Sequence, residues 1–426
     1  MLLLRGNASA LQCAAMMRAT ASSMEKKGKV IVISGPTGAG KSSVAIELAK
    51  RLGGEIISAD SVQVYKGLDV GSAKTPVSER QGVPHHLLDI IQPTEEYSVG
   101  DFFRDAREAT DTVLARGRVP IVVGGTGLYL LWYMNGRPNT PKATKEQADA
   151  VDEEMKGITG GWDAAIKYLA DAGDPESAQS IARNDWYRLR RALEILKISG
   201  KPRASFPLPW MPAKESVPLD ETSDLKEIVR TPPQVDYDFR CYFLYTKRSD
   251  LYRRIDLRCE QMLTEGLLQE ASWFLDLGIQ PNSSPPSRAI GYRQAMEYLV
   301  TCRSAGGVSS PKDFLTFLSG FQKASRNYAK RQLCWFRDED KFRWLNSSLP
   351  ADDIVASLVS DHHNSPGNSE PSAWETEQKA TMVKEVKVLK TYVTRNRIFT
   401  EDGACSRPLD WLKSTQSTRE ILSDQV

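Results

Sequence analysis

An apolar, β-branched run at residues 30–34 ends in Gly35, Pro36, Thr37, Gly38, Ala39, Gly40, Lys41 and Ser42. Apolar residues at helical spacing follow, Val44, Ile46, Leu48 and Leu52. Strand, glycine-rich loop, then helix is the sequence context that makes Gly-x-x-x-x-Gly-Lys-Ser a phosphate-binding loop. The glycines let backbone N–H groups wrap a phosphate, and the helix N-terminus adds a favourable dipole. Lys41 contributes a point charge, and Ser42 offers a hydroxyl to Mg²⁺ or to a phosphate oxygen. No other feature limits the fold so tightly.

The segments that follow fit the same class. Residues 55–58 read as a short second strand after Gly53-Gly54, and residues 118–123 as a third, closed by Gly124-Gly125-Thr126-Gly127. Strands alternating with helices point to an α/β fold with a P-loop NTPase-like parallel sheet. From 136 to 200 the text becomes helix-like ("TKEQADAVDEEMKG", "WDAAIKYLADAG", "DWYRLRRALEILKISG"), which reads as a helical insertion. Residues 201–236, rich in Pro and acids, read as a loop. A strand at 239–245 returns to the core, followed by helices at 249–277, 289–304 and about 312–337. The expected division is a presequence over 1–28, core over 29–135, insertion over 136–200, loop over 201–236, core again over 237–347, and a C-terminal tail over 348–426.

Composition excludes some classes. No stretch of 18 apolar residues occurs, so no membrane-spanning helix is expected. The six cysteines are scattered with no Cys-x-x-Cys pair, which favours free thiols in a reducing compartment. The histidine pairs His85-His86 and His362-His363 have no cysteine at zinc-ligand spacing. The first 24 residues carry Arg5 and Arg18, many alanines and no acid, in the manner of an organellar transit peptide. The presequence itself does not separate plastid from mitochondrion, and the cytoplasm stays open.

A P-loop hydrolase or kinase also places a metal-binding Asp at the end of an apolar strand. Here the strand at 118–123 runs into glycines, and Asp89 after His85-His86-Leu87-Leu88 is the other acid that could serve. The loop therefore reads as a holder of di- or triphosphate, with little sign of nucleotide hydrolysis. Asp60 follows the strand at 55–58, and ligands of open α/β sheets lie beyond the carboxyl ends of strands. It could bind metal, take a proton from an acceptor, or simply cap the next turn; position alone leaves these readings equal.

The wider text resembles one family. "GPTGAGKS", "EIISADSVQVYKGLDVGSAK", "PHHLLDI", "YSVGDF", "GGTGLY", "RNDWYRLRRALEI", "RAIGYRQA" and "RNYAKRQLCWFR" occur in the order seen in tRNA dimethylallyltransferases, over about residues 29–347. The wording is nearest the bacterial-type members found in plants, and the zinc finger of some eukaryotic tails is absent from the sequence. The plant resemblance is what puts plastid ahead of mitochondrion. The resemblance implies prenyl transfer from dimethylallyl diphosphate to N6 of adenosine 37, beside the anticodon of tRNAs that read codons beginning with U. Breakdown of such tRNA would release cis-type cytokinins.

The resemblance also implies roles. Gly35 to Ser42 and Arg258 would hold the diphosphate, with Mg²⁺ at Ser42; Thr37 and Arg258 would assist catalysis; Asp60 would be the general base. Asp60, Ser61, Val62, Gln63 and Thr126 would meet the flipped adenosine and its neighbours. Three basic clusters would grip the anticodon stem-loop: Arg188 and Arg191; Arg288, Gly291, Tyr292, Arg293 and Gln294; and Arg326, Lys330 and Arg331. Taken singly, each cluster also reads as a solvated helix face. The chain is expected to act as a monomer, with no membrane partner. Competing readings are an adenylate isopentenyltransferase using free AMP, ADP or ATP, a small-molecule P-loop kinase, and a nucleotide-gated RNA-binding protein.

Overall fold

The structure is a computed structural model that describes residues 27–206, 237–364, 375–377, 389 and 392–417. The transit-peptide expectation and most of the 201–236 loop therefore lie outside the described residues. The chain divides into two compact units, residues 131–234 and the remainder. The boundary falls inside one helix, Gly127–Asn135.

The larger unit is built on a six-stranded parallel sheet. Its strands are β1 (Lys29–Ser34), β2 (Glu55–Ser58), β3 (His85–His86), β4 (Pro120–Val123), β5 (Asp238–Tyr245) and β6 (Phe342–Asn346), in the order β3-β2-β4-β1-β5-β6. Residues Val30, Ile31, Val32 and Ile33 of β1 are wholly buried, as a central parallel strand covered on both faces requires. The register pairs Ile31 with Ile121 and Val32 with Cys241. On one face the helix after the phosphate loop, α1 (Lys41–Leu52), packs Val44, Ile46 and Leu48 against the sheet. Ile354, Val355 and Leu358 of α12 (Ala351–His363) join the same core. On the other face Phe243 of β5 meets Phe336, from α11 (Pro311–Arg337), with ring centroids 5.0 Å apart.

Three boundaries differ from the sequence reading. Helix 249–277 is two helices, α8 (Arg248–Glu265) and α9 (Leu267–Asp276), broken at Gly266, whose φ of 121° ends the first helix. Strand β6 is an addition to the expected elements: Phe342 and Trp344 alternate with exposed Arg343 in a half-buried strand pattern. The tail boundary at 347 falls too early, because α12 covers the sheet; its three buried apolar residues are diluted by acids and serines.

The smaller unit contains α4 (Lys145–Lys156), α5 (Gly161–Asp171), α6 (Pro175–Ser180) and α7 (Trp186–Ser199) around its own core, which includes Trp162, Leu169, Leu189 and Leu193. Thr144 and Gln147 form a capping box that starts α4. Asp174 is buried and accepts N–H bonds from Ser177 (3.0 Å) and Arg203 (3.1 Å), which satisfies a charge that would otherwise be costly inside. Among the described residues no helix is long and apolar enough to cross a membrane.

Candidate active site

The phosphate loop, the end of β2 and the end of β4 meet at one edge of the sheet. The loop bends through Gly38 and Gly40, whose φ values of 80° and 83° disfavour any side chain. Gly124 is required by proximity: a Cβ there would lie 2.1 Å from the Ala59 carbonyl oxygen. The Ala59 N–H donates to the Val123 carbonyl at 2.8 Å, so β2 and β4 deliver Asp60 and Thr126 side by side. The Ser61 N–H reaches the Thr126 hydroxyl at 3.4 Å.

These ends line a cavity of about 1070 Å³, bounded by Thr37, Lys41, Ser42, Asp60, Arg254 and Arg258 among others. A second cavity of about 300 Å³ adjoins it, walled by Val62, Ser72, Ile290, Phe321 and Arg331. Thr37, Asp60, Arg258 and Tyr328 line both. Asp60 therefore faces a phosphate-loop chamber and a smaller chamber whose walls mix polar and apolar groups.

The charges in this site are strongly coupled. Burial pushes the Lys41 ammonium down to about 8, helped by repulsion from Arg258 and opposed by attraction to Asp60. Burial likewise lowers Arg258, with Cys259 and Asp60 opposing it. Lys41 folds back onto its own loop, donating to the Gly35 and Pro36 carbonyls at 2.9 and 3.0 Å. An arriving anion would offer this half-buried cation a stronger partner. Asp60 caps a turn: its Oδ1 accepts from the Val62 N–H at 2.9 Å and the Gln63 N–H at 3.4 Å. Oδ2 makes no hydrogen bond among the described residues. Burial and the Asp60 charge raise the Tyr328 phenol, which keeps its proton.

Gln332 was not singled out in the sequence, yet it joins two walls. Its Oε1 accepts from the Thr37 N–H at 2.9 Å and its Nε2 donates to the Gly125 carbonyl at 3.0 Å. Tyr328, one helical turn earlier on α11, lies next to Thr126 and Asp60. Their spacing of four within "NYAKRQ" was the available signal for a shared face. Asp89 is not placed as a free metal acid. It accepts from buried Lys74 at 2.6 Å, and Lys74 also binds Asp69 at 2.6 Å.

Several residues expected to touch RNA are engaged inside the protein. Tyr292 is wholly buried and donates to Glu270 at 2.6 Å; Glu270 also accepts the backbone N–H groups of Asp69, Val70 and Gly71, fixing a loop of the smaller chamber. Gly291 is buried, and Gln294 accepts its N–H at 2.9 Å as a helix cap. The Gln63 amide is committed to Ser58 and to the carbonyls of Ser72 and Ala73. Arg326 pairs with Asp256 and donates to Thr394 at 2.9 Å. Arg191 holds Glu194 and the Pro141 carbonyl. Arg293 is half-buried. Arg188, Arg288, Lys330 and Arg331 remain exposed, and Arg288 and Arg331 rim the smaller chamber. Side-chain type suggested these contacts; the internal partners come from distant parts of the chain.

The family model described as IPP transferase matches residues 63–339, and that described as Isopentenyl transferase matches residues 28–94. The chain belongs to the IPP transferase family. It is 49% identical over 420 residues to tRNA dimethylallyltransferase 9 of Arabidopsis thaliana, covering 96% of this chain and 90% of that one. It is 40% identical to the tRNA dimethylallyltransferase of Protochlamydia amoebophila, over 79% and 89% of the two chains. Among solved structures it resembles the tRNA isopentenylpyrophosphate transferase of Bacillus halodurans (TM-score 0.53, 32% identity, 84% of this chain and all of that one). A eukaryotic dimethylallyltransferase acting on tRNA gives a TM-score of 0.64 at 26% identity, over 86% and 87% of the chains.

Proposed function

We propose that this family member transfers a dimethylallyl group from dimethylallyl diphosphate to the exocyclic N6 of an adenosine beside the anticodon of a tRNA. The observation that carries the reading is Asp60 facing both chambers. The larger takes the diphosphate on the phosphate loop. The smaller takes a base flipped out of the anticodon loop, since a stacked base cannot reach a recessed group.

The donor C1–O bond breaks, C1 bonds to N6, and an N6 proton passes to Asp60, releasing diphosphate. Adenine N6 is a weak nucleophile, because its lone pair is delocalised into the ring. Oδ2 of Asp60 is the oxygen left to accept its hydrogen, while Oδ1 keeps the carboxylate oriented. Loop N–H groups, Lys41 and Arg258 stabilise the charge that builds on the leaving diphosphate. The Ser42 hydroxyl lines the chamber beside Thr37 and Lys41, which suits it as a ligand for Mg²⁺ entering with the diphosphate. When bound, the ion would neutralise leaving-group charge. No cluster of three or more His, Cys, Asp or Glu among the described residues would hold a metal by itself.

Labelled dimethylallyl diphosphate, offered with either an anticodon stem-loop or AMP, tests the reading. Label on stem-loop adenosine is expected. Label on AMP alone would make the protein a producer of free prenyl nucleotides, and ADP formed from ATP with a small acceptor would make it a kinase.

A further inference from the structure

Helix α8 has two faces with different duties. Arg254, Leu257, Arg258 and Gln261, at helical spacing, line the phosphate-loop chamber. Asp256 and Glu260 lie on the opposite face and are buried, with 2% and 0% exposure. Both acids are satisfied by one C-terminal segment, residues 392–399. Glu260 accepts the N–H groups of Arg397 (3.0 Å), Ile398 (2.7 Å) and Phe399 (2.9 Å). Asp256 accepts the Tyr392 hydroxyl at 2.8 Å and pairs with Arg326 of α11.

The segment reaches α11 as well. Thr394 and Asn396 accept hydrogen bonds from Arg326 (2.9 Å) and Gln322 (3.0 Å). Phe399 packs edge-on against Phe314, with centroids 5.0 Å apart. The far end is tied down by helix α13 (Ser406–Gln416), where Gln416 bonds Ser272 and Arg303. Glu260 is buried beneath the segment, and the three N–H groups donated by Arg397, Ile398 and Phe399 satisfy a carboxylate that would be costly to bury unpaired.

We propose that residues 392–399 are a positioning strap for the transfer site, and that Asp256 and Glu260 are positioning residues acting through Arg258. The strap clamps α8 to α11, so that Arg258 from one helix and Tyr328 and Gln332 from the other face the same chamber. This inference rests on the prenyl-transfer reading above.

The test uses the full chain with Glu260→Ala, Glu260→Gln and Tyr392→Phe, each alone and combined with Arg258→Gln. A small shift of a charge-stabilising group is costly, so Glu260→Ala is expected to lower kcat on the order of tenfold or more. Its KM for the stem-loop should change less than kcat, because α8 also lines the smaller chamber but the exposed Arg188 and Lys330 lie on other helices. Glu260→Gln, which keeps an oxygen for the amides, should recover most of the rate. The Glu260→Ala loss should disappear in the Arg258→Gln background, because both changes remove the same interaction. Tyr392→Phe removes one hydroxyl and decides the matter if Glu260→Ala does not fold; a loss of about threefold, again absent with Arg258→Gln, is expected. Unchanged kcat in the folded variants, or an equal loss in the Arg258→Gln background, overturns the strap while leaving the transfer reading intact. A wild-type chain that transfers no prenyl group overturns the transfer reading itself, and the strap's role with it.

Discussion

The two units use their polar residues in opposite ways. In the larger, buried and half-buried polar groups gather around the phosphate loop: Gln332 joins Thr37 to Gly125, Glu270 pins three loop amides, and Lys41, Asp60 and Arg258 share a chamber. In the insertion, exposed charges pair with one another, as Arg183 does with Asp163 and Lys156 with Glu153, while Asp174 is buried. That unit also exposes Trp186 (42%) and Tyr187 (64%) next to exposed Arg188. An inward network supports bond chemistry; an outward set of aromatic and basic groups supports binding of a nucleic-acid surface. On the proposed reading, the larger unit carries the transfer and the insertion offers aromatic and basic groups for the RNA.

Substitutions can break that separation. Asp60→Ala should reduce transfer by about 10²–10⁴-fold while donor affinity stays near wild type, measured by single-turnover kinetics and equilibrium binding. Arg258→Gln should cost about 10²–10³-fold in kcat, the size seen for loss of one donor to developing charge. The insertion predicts a different pattern. Tyr187→Ala should raise the stem-loop KM by about 1–3 kcal/mol of lost stacking and leave kcat alone. A fall in kcat there would show that the insertion takes part in chemistry.

A pH profile sharpens the same contrast. Lys41 loses its proton near pH 8 in the free site, so kcat/KM for the donor should fall as pH rises through about 8. Bound diphosphate favours the protonated form, so kcat should be flatter over that range. Stem-loop affinity, resting on arginines, should not follow this titration.

The smallest effect on activity belongs to Leu193→Ala in the insertion core. It should lower stability by about 2–5 kcal/mol, read by denaturant unfolding, with donor affinity unchanged.

What was legible in the sequence was local. The phosphate loop, β1 and the position of Asp60 follow from short patterns whose meaning does not depend on distant residues. Strand β6 and helix α12 were hidden because their buried residues, Phe342, Trp344, Ile354 and Leu358, are outnumbered by polar neighbours. Gln332 and Glu270 were hidden differently: their partners, Gly125 and Gly71, lie about 200 positions away in the chain. Tyr292 and Arg326 carry the right chemistry for RNA, but Glu270 and Asp256 claim them. The two-chamber arrangement at Asp60 exists only once β2 and β4 are paired.

The central claim is that donor and acceptor occupy different chambers that meet at Asp60. Competition with an unreactive thiodiphosphate analogue of the donor tests it most directly. The account predicts that the analogue competes with dimethylallyl diphosphate, leaves stem-loop affinity intact, and forms a ternary complex equally well in Asp60→Ala. Mutual exclusion of analogue and stem-loop would contradict it.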